Sequence, residues 1–230
     1  MKILIKRYVE GKYRDEVYEL DIKENWTVLD VLNYIKENID ESLSYRVMCR
    51  SSVCGTCAVK VNGRHVLACK EKATSLGNSL IIEHVDNLKP IRDLVVDHNP
   101  VERNLRRGGV WFNEKYYKGP LCKEKLNKVE KQWDCIACLI CEAVCPVFSE
   151  KFGGPYVFTR IYRIEEDPRK GSINIFENII NMLNIEMCIH CNYCSIYCPK
   201  SCMPEFAIRF LKNKFNIKQE IGDNLDFLSF

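Results

Sequence analysis

Cys135-Ile136-Ala137-Cys138-Leu139-Ile140-Cys141-Glu142-Ala143-Val144-Cys145-Pro146 is echoed downstream by Cys188-Ile189-His190-Cys191-Asn192-Tyr193-Cys194-Ser195-Ile196-Tyr197-Cys198-Pro199. Each is a C-x2-C-x2-C-x3-C-P run, the ligand pattern of a pair of iron–sulfur clusters. Three closely spaced cysteines wrap one cube. The fourth follows four residues later and, in a helical segment, lies ~6 Å further along the axis, where it reaches a different cluster. The spacing therefore pairs Cys135, Cys138, Cys141 and Cys198 on a first 4Fe–4S cluster. Cys188, Cys191, Cys194 and Cys145 hold a second. Pro146 and Pro199 each remove a backbone donor and turn the chain at the fourth ligand.

Upstream, Cys49-x4-Cys54-x2-Cys57 with Cys69 has the spacing of a plant-type 2Fe–2S site. Gly55 lets the backbone approach such a cluster closely. Ser51, Ser52 and Thr56 supply donors that help set its potential. Arg50 is either a solvated charge or a cation facing the anionic cluster. These groups absorb twelve of the fourteen cysteines. Cys122 and Cys202 remain, and read as small buried hydrophobes. Clustered C-x2-C spacing without a secretion signal points to metal rather than disulfides. Structural zinc is the competing reading, but zinc sites are built from two separated C-x2-C knuckles, not four cysteines in one short run ending in proline.

The 230 residues suit one large domain or two small ones. Net charge is +3, from 34 basic and 31 acidic side chains, without the concentrated basic face of a nucleic-acid binder. Arg103, Arg106 and Arg107, and Lys123, Lys125, Lys128 and Lys131, read as solvated surface or as a lure for an acidic partner. No stretch approaches the ~20 apolar residues needed to cross a bilayer. The start, Met1-Lys2-Ile3-Leu4-Ile5-Lys6-Arg7, meets charge too early for a signal peptide and reads as a first strand. The expected location is the cytoplasm, or the cytoplasmic face of a membrane through a partner.

Strands are expected at 2–9 and 16–22 around Gly11-Lys12. Thr27-Val28-Leu29-Asp30 has a capping-box pattern, followed by Val28, Val31, Leu32, Ile35 and Ile39 at helical spacing. Short strands are expected at 57–61 and 79–84, with Asn62-Gly63 a hairpin turn. The stretch 86–109, with Pro90, Pro100, Gly108 and Gly109, reads as a connection. Beyond it the pattern is helical: Leu121, Leu126, Val129 and Trp133; then Ile173, Phe176, Ile180 and Leu183; then Pro204 as a first-turn proline before Phe206, Ile208, Leu211 and Phe215. These stripes inform fold, not chemistry. The expected class is α+β: a β-grasp 2Fe–2S domain at 1–95, then an all-α two-cluster ferredoxin-like domain at 96–230. No nucleophile–base pair, phosphate loop or carboxylate dyad is evident, so no catalytic residue is assigned.

Tyr45–Arg50, Val53–Cys57, Val61–Gly63, Leu67–Cys69, Ile91–Asp97 and both cysteine runs resemble the iron–sulfur subunit of the succinate dehydrogenase/fumarate reductase family. The resemblance covers nearly the whole chain. It implies a flavoprotein partner with covalent FAD that interconverts succinate and fumarate, and a second redox partner, either a membrane quinone subunit or a thiol/disulfide reductase-type subunit. The FAD would lie on the partner, not on this chain. Most of the family holds a 3Fe–4S cluster on cysteines matching Cys145, Cys188 and Cys194, with a noncysteine residue where this chain has Cys191. A fourth thiolate implies a second 4Fe–4S cluster, as in some archaeal or thiol-linked members, in place of 3Fe–4S. Quinone-reactive relatives carry serine, tryptophan and histidine where this chain has Val147, Glu150 and Ile189, and His190 is one place off. The same relay could serve another flavoprotein or a heterodisulfide-reductase-type partner. The third reading is a free ferredoxin-like carrier. The apolar tail (Phe210, Phe215, Ile217, Ile221, Leu225, Phe227, Leu228 and Phe230) reads as a docking element.

Overall fold

A period-two pattern builds the first hairpin. In the computed structural model, which describes residues 1–111, 118–170 and 175–217 with the side chain of Lys125 aside, β1 (Lys2–Val9) pairs antiparallel with β2 (Lys12–Glu19). Glu10 and Gly11 are both left-handed (φ 49° and 82°), the geometry of a two-residue hairpin turn. The second strand starts at residue 12, not 16, because so tight a turn pairs Val9 with Lys12 directly. Ile3 and Ile5 point inward and are fully buried.

Helix α1 (Val28–Asn38) opens on the expected capping box: Thr27 Oγ1 accepts from the Asp30 amide at 3.2 Å, and the Thr27 amide donates to Asp30 Oδ2 at 2.8 Å. It buries Val28, Leu29, Val31, Leu32 and Ile35; Ile39 falls past the last turn and is exposed. β3 (Ala58–Val61) turns through Asn62-Gly63, again left-handed, into β4 (Arg64–Leu67), the second arm that the expected hairpin turn implies. β5 (Ser79–Glu83) completes a five-stranded sheet in the order β2-β1-β5-β3-β4, with β1 and β5 parallel. Helix α1 covers one face, and together they make a β-grasp. Arg7, buried on β1, donates from Nε to Asp93 Oδ1 at 2.9 Å and from Nη2 to Asp93 Oδ2 at 3.1 Å. Asp93 also accepts from the Ser44 amide at 2.7 Å, so one buried ion pair ties the strand to two loops.

The stretch 86–109 is more than a connection. It forms a small ribbon, β6 (Pro90–Arg92) and β7 (Val95–Val96), then helix α2 (Asn99–Gly108). Pro100 sits in the first turn and Gly109 caps the end with φ 55°. Those residues mark the two ends of a helix rather than its absence.

The helix expected before the first cysteine run is broken into α3 (Lys123–Leu126), a 3-10 turn at 127–129, and α4 (Glu130–Trp133). Of its stripe only Val129 is fully buried; Leu121 is exposed, so one continuous face had nothing to pack against. Next come α5 (Ile140–Ala143), α6 (Pro155–Glu165), α7 (Glu177–Met182), α8 (Tyr193–Ile196) and α9 (Pro204–Lys214). Helix α6 is the centre of this half: it packs on α9, with Tyr162 edge-on to Phe206 and Phe210 at 5.8 and 5.0 Å. Phe158 of this helix and Phe152 and Phe176 around it are buried, each contributing roughly 2–3 kcal/mol. Phe210, Phe215 and Ile217 pack against this core, and so are not part of an exposed tail. Ile173, Ile221, Leu225, Phe227, Leu228 and Phe230 lie outside the described residues. Among the described residues no helix is long and apolar enough to cross a membrane.

Candidate metal centres

The loop between α1 and β3 is shaped by Arg50, Ser52 and Gly55, all left-handed (φ 56°, 56° and 73°). The curl turns amides inward. Cys49 Sγ accepts from the Ser51, Val53 and Cys54 amides at 3.4, 3.3 and 3.3 Å, and Cys69 Sγ from the Ser52 amide at 3.3 Å. The amides of Ser51, Val53 and Cys54 lower the Cys49 thiol to about 6, so a thiolate is favoured before any metal arrives. Cys57, buried at the start of the hairpin, is pushed up to about 12 by desolvation. Cys69, just past β4, faces the loop across the hairpin. Arg50 lies exposed.

The two cysteine runs repeat in backbone as in sequence. Ala137 and Leu139, flanking Cys138, are left-handed (φ 55° and 60°); His190 and Asn192, flanking Cys191, are left-handed too (φ 56° and 65°). Cys191 thus occupies the same backbone setting as Cys138. Each run continues into a single-turn helix, α5 or α8, that carries the third cysteine and stops before the fourth.

Cys135, Cys138 and Cys141 line one cavity together with Cys198 from the second run. Burial pushes Cys138 up to about 12 and Cys141 well above its ordinary value. Cys202 joins the same wall, 1% exposed, and its amide donates to Cys198 Sγ at 3.3 Å. The neighbouring Cys202 thiol is the chief cause that lowers Cys198 to about 6 and Cys135 to about 7. Four half-buried thiols lining one cavity cannot all ionise without cost; soft cations that bind thiolate offset it. The surroundings fit such a group. The Nε atoms of Arg160 and Arg163 are buried without a hydrogen-bond partner among the described residues, and Arg160 lowers Cys135 through its charge.

Cys145, Cys188, Cys191 and Cys194 are near enough for their charges to act on one another. The Cys145 thiol, pushed up to about 12 chiefly by burial, also feels Cys188 and Cys191; Cys194 is raised by burial and then by Cys188, Cys145 and Cys191. His190 is turned away from this group, its Nδ1 2.9 Å from Glu205 Oε1 and its Nε2 accepting from Lys212 Nζ at 3.3 Å. Lys212 Nζ also donates to the Cys188 carbonyl at 2.9 Å. Cys122 stands apart, its thiol donating to Glu124 at 3.2 Å. The basic residues Arg103 and Arg106 pair with Glu150 and Glu102 on the surface.

Two residues at these sites, Glu142 and Asn87, carried no readable signal. Glu142, beside Cys141, is fully buried and pushed up to about 8 by desolvation; its Oε1 accepts the Tyr156 amide at 2.8 Å. Asn87 Nδ2 donates to the carbonyls of Glu142, Ala143 and Cys145 at 2.9, 3.0 and 2.8 Å. Cys202 read as a bland hydrophobe, although its place four residues after Cys198 hinted at contact.

Residues 2–103 match a 2Fe–2S iron–sulfur cluster binding domain, and residues 134–202 a 4Fe–4S dicluster domain. The chain is 30% identical to the fumarate reductase iron–sulfur subunit of Escherichia coli O6:H1 over 220 residues, covering 91% of this chain and 90% of that one. It belongs to the iron–sulfur subunits of the succinate dehydrogenase/fumarate reductase family. Within that family it is 34% identical over 217 residues to the 8-methylmenaquinol:fumarate reductase iron–sulfur subunit of Wolinella succinogenes, covering 87% and 68%. It is 32% identical over 208 residues to a subunit of the CoM/CoB fumarate reductase of Methanothermobacter marburgensis, spanning 89% of this chain but 41% of that longer protein. The fold is that of a chain in the Mycobacterium smegmatis Sdh1 complex, with a TM-score of 0.83 at 20% identity over 93% and 94% of the two chains. The subunit is thus the electron-transfer component of an oxidoreductase complex, with a 2Fe–2S and a 4Fe–4S cluster domain.

Proposed function

We propose that this subunit relays single electrons between the FAD of a flavoprotein partner, working on succinate and fumarate, and a second redox partner. The residues divide the work. Cys49, Cys54, Cys57 and Cys69 hold a 2Fe–2S cluster in a domain spanning 1–95. Cys135, Cys138, Cys141 and Cys198 hold one 4Fe–4S cluster, and Cys145, Cys188, Cys191 and Cys194 a second, in a domain spanning 96–230. Bound there, the clusters supply one-electron chemistry that no side chain of this chain offers. The protein's part is to orient the thiolates, donate amides to their sulfurs and keep water from the cubanes.

One observation carries the reading: cysteines far apart in sequence, including one from the other repeat, face a single cavity. The matching left-handed residues around Cys138 and Cys191 support a second full cube in place of a 3Fe–4S centre. The fumarate reductases among its relatives support the dicarboxylate partner; for the second partner, the 8-methylmenaquinol enzyme supports a quinone subunit and the CoM/CoB enzyme a thiol-linked one. The complex would work in the cytoplasm or on the cytoplasmic face of the membrane. Purification of the native complex tests this. FAD and viologen-linked fumarate reduction should co-purify with the subunit. A complex without flavin and without succinate or fumarate turnover would sink the proposal, whatever its iron content.

A further inference from the structure

The cysteine loop of the first half and the first cysteine run of the second half touch through backbone. A side-chain carbon added at Gly55 would stand 2.4 Å from the Ile136 carbonyl oxygen and 2.9 Å from both the amide nitrogen and Cα of Cys138. No side chain fits there, and backbone on the far side cannot swing away as a flexible side chain would. Around this point the halves share one core: Ile140 is buried with the sheet residues, and Ile136, Cys138 and Val144 pack against them. Asn87, beyond β5, closes the junction from another direction, with its amide on three carbonyls after Cys141. Ligand spacing alone needs neither arrangement. The Gly55 contact joins a cysteine loop of one half to a cysteine run of the other, and Asn87 ties the segment after β5 to the same run.

We propose that Gly55, with Asn87 holding the opposite end of the junction, is a positioning residue that sets the gap between the 2Fe–2S centre and the first cubane. The inference rests on the ligand assignment made above. One electron leaves one centre and enters the other across this contact, with no bond made or broken. Any side chain at residue 55 wedges the two loops apart and weakens the electronic contact without touching a ligand.

The test uses the native complex with Gly55→Ala, Asn87→Ala and, as control, Gly63→Ala. Gly63 is as strongly left-handed (φ 78°) but has open space where its side chain would go. The readouts are iron content, magnetic broadening between the two reduced centres, and their electron exchange after flash photoreduction by a free flavin. Gly55→Ala should keep its iron, lose broadening and exchange more slowly, while Gly63→Ala behaves as wild type. Wild-type broadening and exchange in fully loaded Gly55→Ala would overturn the proposal. If Gly55→Ala cannot hold its first cluster, Asn87→Ala decides in the same way: weaker coupling sustains the proposal and unchanged coupling overturns it. A wild-type complex lacking the expected iron would instead refute the ligand assignment.

Discussion

The loop around Cys49 and the cavity around Cys141 differ in what surrounds their thiols, although each mixes lowered and raised ones, Cys49 and Cys198 at about 6 against Cys57 and Cys138 at about 12. Cys49 is near the surface, and three amides have already lowered its thiol to about 6. Cys141 is half-buried, and desolvation drives its thiol the other way. The first site is built by a sheet that stands on its own hydrogen-bonded ladder, with Arg7–Asp93 and a capped helix behind it. The second is built from single-turn helices, α5 and α8, too short to persist unaided. The backbone prepares the first site for its metal, whereas the cubane half needs metal to justify its buried thiols.

The largest expected effect follows from removing iron. Anaerobic chelation should strip amide protection from 135–145 and 188–198 while the β1–β5 ladder stays protected. Hydrogen exchange by mass spectrometry reads this directly, and equal loss in both halves would break the contrast. Next is Asp93→Ala, which leaves Arg7 buried without its main partner and should cost about 3–5 kcal/mol in the sheet half. Its cubane spectra should be unchanged, and denaturant unfolding followed at the two halves separates the outcomes.

Smaller still is Thr27→Ala, which removes one side of the capping box and should cost about 1 kcal/mol. The last concerns the junction. His65 is buried and His98 half-buried, and desolvation is the chief cause lowering each below its usual 6.5. The folded state then binds fewer protons than the unfolded one just below pH 6.5, so stability rises with pH through that window and falls on acidification. Melting temperature against pH should show this slope, and His65→Gln should flatten it. A slope unchanged in His65→Gln would remove that histidine from the account.

The parts legible in the sequence are those where one physical signal acts alone or outweighs its competitor. Alternation in β1 and the Thr27–Asp30 box each had no competitor, and the paired cysteine spacing had one, structural zinc, which favours two separated knuckles. Helix α6 escaped because Pro155–Glu165 is buried almost all round, which erases the single apolar stripe that marks a helix. Helix α2 escaped because Pro100 and Gly109 were read as interruptions, when each marks an end of the helix. β4, four residues long and without clean alternation, was implied only by the Asn62-Gly63 turn before it. At the sites, the cysteines were visible by spacing, whereas Asn87 and Glu142 act through tertiary contact and leave no local trace.

The most direct measurement is iron analysis with EPR and Mössbauer spectroscopy on the anaerobic native complex. The account predicts about ten iron atoms per chain, from one 2Fe–2S and two 4Fe–4S centres, and no oxidised-state 3Fe–4S signal. About nine iron atoms with that signal would contradict the role given to Cys191, and zinc in place of iron would contradict the whole assignment.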